Sequence, residues 1–126
     1  MNVLLDTCAL LALARGDLPT AAVAALRAAD EAIVSSVSPW EIAIKVRSGR
    51  LRLKLPPADW FFSLAQRHGL RELPLDAPMA CAAADLPPVH KDPFDRVLVA
   101  VARVRSLVIL TSDENISKYA GVRTIW

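Results

Sequence analysis

The chain has no apolar run long enough to cross a membrane. A membrane-spanning helix needs roughly 18 consecutive apolar residues, and no apolar stretch of this sequence approaches that length. The first stretch, residues 3–14, superficially resembles a secretory signal, but no basic residue precedes its apolar run and Asp6 divides it. We therefore expect no membrane segment and interpret the start of the chain as a buried first strand.

Cysteine, histidine and glycine are all scarce. The two cysteines, Cys8 and Cys81, stand in Ala- and Leu-rich surroundings without metal-ligand spacing, so we expect reduced core thiols in a cytoplasmic protein. The histidines, His68 and His90, lie too far apart in sequence for a paired zinc motif, although His90, beside Asp92, is a candidate for substrate contact. The four glycines are scattered, which excludes a glycine-rich phosphate loop.

The sequence also lacks a large excess of charge of either sign. The formal net charge is only +2 and the pI is near 8.8, which is compatible with nucleic acid but too weak to indicate it. The one basic cluster covers residues 45–54, where basic and apolar residues alternate from Arg50 to Leu55. This segment predicts an exposed edge strand or an irregular arm, and its charges serve either as a solvated face or as a phosphate-contacting surface.

Apolar residues are plentiful, in contrast. They make up 54% of the 126 residues, enough for one core, so we expect a single domain spanning residues 1–126. Short apolar segments predict strands at residues 1–5, 32–35, 70–75, 107–111 and 122–126, with helical segments between them. This alternation predicts an α/β fold in which helices cover both faces of a parallel sheet.

Acidic residues follow the predicted strands. Asp6 ends the first apolar strand and Asp113 closely follows the fourth, so both are expected at the carboxyl edge of the sheet, where ligands bind in such folds. Glu41 begins the helix after the second strand and is expected at the same edge. The Ser38-Pro39-Trp40-Glu41 sequence also predicts a helix-capping box, which by itself accounts for Glu41 without any chemistry.

The stretch from His90 to Arg96 contains two further acids. Pro93 and the apolar run after it predict a helix that begins with Asp92 as N-cap and has Asp95 in its first turn. The simpler interpretation is a well-capped helix whose acids interact favourably with the helix dipole. The alternative is that one or both carboxylates bind a metal.

Crowded carboxylates favour the metal. Asp6, Glu41, Asp95 and Asp113 repel one another if they converge, and a hard divalent cation relieves that repulsion. Mg²⁺ takes oxygen ligands of this kind, and Mn²⁺ is a possible substitute. The corresponding chemistry is metal-assisted hydrolysis of a phosphodiester, by one ion or two.

Four segments carry a family resemblance. Leu-Leu-Asp-Thr near the start, Ser-Pro-Trp-Glu-Ile-Ala-Ile-Lys, His-Lys-Asp-Pro-Phe-Asp-Arg and Leu-Thr-Ser-Asp occur in that order, and together they resemble the PIN-domain ribonucleases, more narrowly the VapC toxins. The resemblance covers the chain from Asp6 to Trp126. It implies a three-layer α/β/α sandwich with a central parallel sheet, a Mg²⁺-dependent acidic site, cleavage of RNA and inhibition by a VapB-type antitoxin.

The resemblance also implies roles for particular residues. Its catalytic acids correspond to Asp6, Glu41, Asp95 and Asp113, of which Asp6, Asp95 and Asp113 are the expected metal ligands, with Glu41 acting through water. Asp95 is preferred to Asp92 because it aligns with the acid that precedes the Ala-rich helix. The hydroxyl that the family places before its last acid corresponds to Thr111 or Ser112, and Lys45 and Arg96 are candidate RNA contacts. Trp40 is expected to pack rather than to stack on a base.

Other functions stay open on the sequence. A PIN-like scaffold that binds RNA or a partner without turnover is one alternative, and a housekeeping RNA-processing nuclease without an antitoxin is another. Several amphipathic helices in an Ala-, Leu- and Val-rich chain also predict exposed apolar faces, suited to a homodimer or to a toxin–antitoxin hetero-oligomer.

Overall fold

The computed structural model describes all 126 residues, which form a five-stranded parallel sheet and seven helices. The strands are β1 (Val3–Leu5), β2 (Ala32–Ser35), β3 (Leu70–Leu73), β4 (Val108–Leu110) and β5 (Arg123–Ile125). The helices are α1 (Thr7–Arg15), α2 (Thr20–Ala28), α3 (Val37–Arg47), α4 (Pro57–His68), α5 (Ala77–Ala84), α6 (Pro93–Arg105) and α7 (Glu114–Ser117). The predicted alternation of strands and helices is confirmed.

The order of the strands places a crevice beside β1. The sheet runs β3-β2-β1-β4-β5, so the chain first builds outward from β1 to β3 and then crosses back to β4. Leu5 at the end of β1 is in register with Leu110 at the end of β4. Ligands of such sheets bind where the strand order reverses, and here that point lies between the ends of β1 and β4.

Side chains of β1 alternate between two cores. Leu4 faces a core shared with α5 and α6, whereas Val3 and Leu5 face a second core shared with α1, α2 and α4. All three side chains are fully buried, and burial of such a side chain stabilises the fold by about 1.5–3 kcal/mol. The predicted three-layer arrangement is therefore confirmed, and a polar residue at Leu4 or Leu5 would disrupt its centre.

Two acids cap helices, Asp92 as the sequence predicts and Asp6 in addition to its predicted place at a strand end. The backbone N–H of Ala9 donates to Asp6 Oδ1 (2.7 Å), and that of Phe94 donates to Asp92 Oδ1 (2.9 Å). Each carboxylate satisfies an N–H that the first turn of its helix leaves unpaired. The N-cap assignment of Asp92 is confirmed.

The prediction that the cysteines lie in the core is wrong. Cys8 and Cys81 are both exposed thiols on the outer sides of their helices.

Of the two structures predicted for the basic segment that begins at Arg50, the irregular arm is the one observed, and no strand forms there. Its alternation is real, however, since Leu51 and Leu53 pack on the α1–α4 core while Arg52 and Lys54 are exposed.

By length and composition, none of the helices is by itself a candidate to span a membrane, whereas α1 and α2 pass that test only together, as a pair bent by 99°.

Candidate metal centre

Asp6 lies at the floor of the crevice between β1 and β4. Its backbone N–H donates to the carbonyl of Leu110 (3.2 Å), which fixes the residue against the neighbouring strand. The residue is only 3% exposed. Burial raises the pKa of Asp6, hydrogen bonds from Thr111 and Ala9 oppose that rise, and the charges of Asp113 and Glu41 add to it.

Glu41 is linked to the start of α1 by a hydrogen bond from Thr7. The capping box predicted for its helix is wrong. Helix α3 begins earlier, at Val37, so Ser38 is a fully buried residue inside the first turn. The Thr7 hydroxyl donates to Glu41 Oε1 (2.7 Å), and Lys45 pairs with Glu41 Oε2 (3.1 Å).

The role of Thr7 was not predicted. Thr7 is buried and lies next to Asp6 in sequence. Its hydroxyl also contacts Ser38 (3.1 Å), so it ties the start of α1 to the start of α3. The available signal was its position directly after the first acid.

Asp95 and Asp113 meet around the imidazole of His90. Nε2 of His90 lies 3.0 Å from Asp95 Oδ2 and 3.1 Å from Asp113 Oδ2. One donor atom from each of the three residues lies within 4.8 Å of the others. Asp95 comes from the first turn of α6 and Asp113 from the turn after β4, so the juxtaposition is produced by the fold.

The pKa values of these two carboxyl groups are shifted in opposite directions. Burial raises the pKa of Asp95 to about 7, and the nearby charge of Asp92 adds to burial, whereas His90 opposes it. Burial also disfavours ionisation of Asp113, but the Asn115 N–H and His90 outweigh it, so the pKa of Asp113 is lowered. Perturbed carboxyl groups of this kind are typical of functional sites.

These residues fit a hard divalent cation. Asp6 is a buried carboxyl group, and its pKa and that of Asp95 are raised partly by the acids around them. Lys45 is the one lysine or arginine side chain that pairs with an acid of this group, and it pairs with Glu41 only. Carboxylate oxygens are the preferred ligands of Mg²⁺ and Mn²⁺, and Asp95 and Asp113 already lie at a shared ligand distance. A cation there would relieve their repulsion and, through Asp113, the repulsion on Asp6.

Of the two candidate hydroxyls before Asp113, Thr111 is the one in contact with the site. Thr111 is buried and accepts from the backbone N–H of Asp113 (3.0 Å). It also lies close enough to Asp6 to oppose the rise in the pKa of that carboxyl group. Ser112 is exposed. Thr111 therefore connects the acid after β1 with the acid after β4.

Arg96 is a structural residue, which corrects its assignment as an RNA contact. Its guanidinium donates to backbone carbonyls, among them Leu86 O (2.7 Å), Ala83 O (3.0 Å) and Pro87 O (3.0 Å). These bonds fasten the segment between α5 and α6 to the first turn of α6. A guanidinium engaged in this way has little capacity left for a phosphate.

Trp40 contacts a neighbouring aromatic ring but stays largely exposed, so the expectation that it packs and does not stack on a base remains a prediction. Its ring meets Phe94 edge to face with centroids 5.1 Å apart, a favourable geometry for aromatic pairs. The residue is still 59% exposed. Trp40 thus bridges α3 and α6 at the surface.

Comparison with known proteins now identifies the family. The sequence matches the PIN domain over residues 3–122, so the chain belongs to the PIN-domain family. It is similar to ribonuclease VapC22 of Mycobacterium tuberculosis, with 30% identity over 112 residues, which cover 86% of this chain and 85% of that protein.

Solved structures share the fold. VapBC2 from Rickettsia felis, bound to a DNA fragment of its promoter, matches 99% of this chain and 98% of its own with a TM-score of 0.74 and 12% identity. A toxin–antitoxin complex from Klebsiella pneumoniae matches 98% of this chain and 96% of its own, with a TM-score of 0.67 and 16% identity. FitAcB from Neisseria gonorrhoeae matches 100% of this chain and 97% of its own, with a TM-score of 0.68 and 22% identity.

Proposed function

We propose that this protein is a Mg²⁺-dependent endoribonuclease and the toxin of a VapB–VapC-type pair, with residues 1–126 forming one PIN domain that acts in the cytoplasm. The single observation that carries the proposal is the meeting of Asp95, from the first turn of α6, with Asp113, after β4, at ligand distance around His90. Asp6, directly after β1, lies close enough for the charge of Asp113 to raise its pKa. The similarity to ribonuclease VapC22 supports RNA as the substrate.

Each acid has a proposed part in the reaction. Asp6, Asp95 and Asp113 hold the ion, with Mn²⁺ as a possible substitute, and Glu41 acts through water. When bound, the ion supplies a Lewis acid that stabilises charge on the phosphate and makes a water molecule more nucleophilic. Thr7 and Lys45 fix the carboxylate of Glu41 from two sides, which orients it for hydrogen bonding to that water.

Phosphate contacts are proposed for the exposed basic arm. Arg52 and Lys54 are exposed, whereas the apolar residues between them are packed. This arrangement leaves the charges free for a polyanion. Lys45 pairs with Glu41 but is one-third exposed, so it is the cation best placed for a phosphate at the acidic site.

Exposed apolar side chains support an antitoxin partner. Trp40 and Ile44, one helical turn apart on α3, are 59% and 39% exposed, and Phe62 on the contacting helix α4 is 60% exposed. Large apolar side chains exposed on neighbouring helices are typical of a protein interface. An amphipathic segment of a VapB-type antitoxin, or a second copy of this chain, suits such a surface.

The proposal is tested by cleavage of RNA with purified protein. Wild type should cut a mixed RNA substrate in Mg²⁺, stop in EDTA and recover when Mg²⁺ or Mn²⁺ is restored. Asp6→Asn should lose on the order of 100-fold or more in rate, by analogy with the cost of about 10²–10³ for removing one preorganised group that stabilises charge in a transition state. Asp59→Asn, an exposed acid on α4, is the matched control and should cut normally.

Two results would overturn the proposal. Cleavage that persists in EDTA or in Asp6→Asn would show that another site or a contaminant cuts the RNA. RNA binding without cleavage in any divalent ion would instead establish the non-catalytic binding module.

A further inference from the structure

His90 occupies the space between two of the proposed metal ligands. Its Nε2 atom contacts Oδ2 of both Asp95 and Asp113, at 3.0 and 3.1 Å, and its side chain is only 18% exposed. An imidazole in this place has two possible roles toward a cation. It is either a nitrogen ligand or a donor that competes with the ion for the same oxygens.

The proton on the imidazole decides between these roles. The backbone N–H of Asp92 donates to His90 Nδ1 (3.2 Å), so Nδ1 presents its lone pair. A neutral imidazole whose Nδ1 accepts carries its proton on Nε2. Nε2 is therefore a donor to the two carboxylates, and a protonated nitrogen has no lone pair to offer a cation.

The backbone around His90 holds this arrangement in place. The N–H of His90 donates to the Tyr119 hydroxyl (3.0 Å), and Arg96 donates to the carbonyl of His90 (3.2 Å). Arg96 also fastens the preceding loop to α6. Because Nδ1 accepts from the N–H of Asp92, two residues along, the tautomer is set by the local backbone and does not depend on a ligand.

We propose that His90 is a competitor of the metal and not a ligand: its Nε2–H holds Oδ2 of Asp95 and Asp113 together in the metal-free protein, and a divalent cation must displace it to bind those oxygens. This inference rests on the proposed metal-dependent function. It makes His90 the residue that limits the affinity of the site for the ion.

The sign of one affinity change tests the proposal. Mn²⁺ binding to purified wild type and to His90→Ala is measured from the electron paramagnetic resonance signal of the free ion. His90→Ala should bind Mn²⁺ roughly tenfold more tightly. This factor is the change in affinity that corresponds to the free energy of one hydrogen bond to a charged group. His68→Ala, which alters the only other histidine, should bind like wild type. Weaker or unchanged affinity in His90→Ala would overturn the proposal.

A second measurement uses wild type alone and does not depend on the variant folding. Pulsed electron paramagnetic resonance of the Mn²⁺-loaded protein should give no coupling to a directly bonded ¹⁴N nucleus. A coupling of directly bonded strength would make His90 a ligand and overturn the inference, while RNA cleavage and the proposed function stood. Failure of Mn²⁺ to bind to both wild type and His90→Ala would overturn both.

Discussion

Asp95 is the carboxyl group that the fold perturbs most clearly. Its pKa rises from an ordinary value of 3.8 to about 7, because burial and Asp92 disfavour its charge more than His90 favours it. Between these two pH values the unfolded chain has released the proton and the folded chain still holds it. Stability of the metal-free protein therefore falls as pH rises through this range and changes no further, through this group, above about pH 7.

Asp95→Asn should remove this loss of stability. Each pKa unit is worth about 1.4 kcal/mol, so the variant should be more stable than wild type by up to about 4 kcal/mol at pH 8, and by much less at pH 4. Urea unfolding in EDTA at both pH values measures the difference. Equal stability differences at the two pH values would contradict the assigned pKa.

Asp92 caps α6, whereas Asp95, three residues further on, is the proposed metal ligand. Asp92→Asn should keep nearly full Mg²⁺-dependent cleavage, since Asn caps helices about as well as Asp. Asp95→Asn should lose at least 100-fold, as expected for a lost catalytic charge. Cleavage rates of the two variants under the same Mg²⁺ concentration give the comparison. Loss of cleavage in Asp92→Asn with retention in Asp95→Asn would reverse the assignment.

At the scale of elements, α6 positions the site from two directions. Its first turn supplies Asp95, and Arg96 beside it binds the carbonyls of the loop that carries His90. A helix of 13 residues with a buried apolar face from Leu98 to Ala102 gives this turn a rigid base. The loop and the acid therefore keep their relative positions without a bound ion.

Arg96→Lys should lower the free energy of unfolding by about 2–3 kcal/mol. A lysine ammonium is a point charge and cannot reproduce the planar fork that binds several carbonyls. Losing several of these part-buried and exposed bonds, each worth about 0.5–1.5 kcal/mol or more to a charged donor, gives this estimate. Arg103→Lys, an exposed position on the same helix, should change stability by less than about 0.5 kcal/mol. Similar urea midpoints for both variants would show that the Arg96 bonds are dispensable.

Much of the fold could be predicted at this scale, for a physical reason. Strands of a covered parallel sheet are continuous apolar runs, and the runs that end at Leu5 and Leu110 read directly as strands. Helix starts at Thr7 and Pro93 follow from local capping by Asp6 and Asp92. The start of α3 at Val37 did not follow, because Ser38 is buried against Thr7 from another helix, and capping rules describe only neighbours in sequence.

The site divides in the same way. Asp6 and Asp113 could be placed at one sheet edge because each follows a strand of a sheet predicted to be parallel, while their roles still rest on the proposed function. Side-chain contacts between distant segments determine the position of His90 between Asp95 and Asp113. They also determine that Arg96 donates hydrogen bonds to the loop before α6. No spacing in the sequence encodes those contacts.

At the scale of the whole molecule, two surfaces are left for partners. The acids around the end of β4 are proposed to face RNA, and the exposed side chains of Trp40, Ile44 and Phe62 on α3 and α4 are proposed to face the antitoxin or a second copy. Co-expression with the product of a small adjacent upstream reading frame should relieve toxicity and yield a stable complex. Phe62→Glu should abolish that complex and leave RNA cleavage intact. A complex unaffected by Phe62→Glu would place the interface elsewhere.

The central claim is that the acids at the β1–β4 crevice cut RNA, and sequencing of RNA ends in cells tests it most directly. Induced expression of wild type should create new ends at recurrent positions in one class of RNA, and Asp6→Ala, expressed to the same level, should create none of them. The same new ends in cells expressing Asp6→Ala would contradict the account.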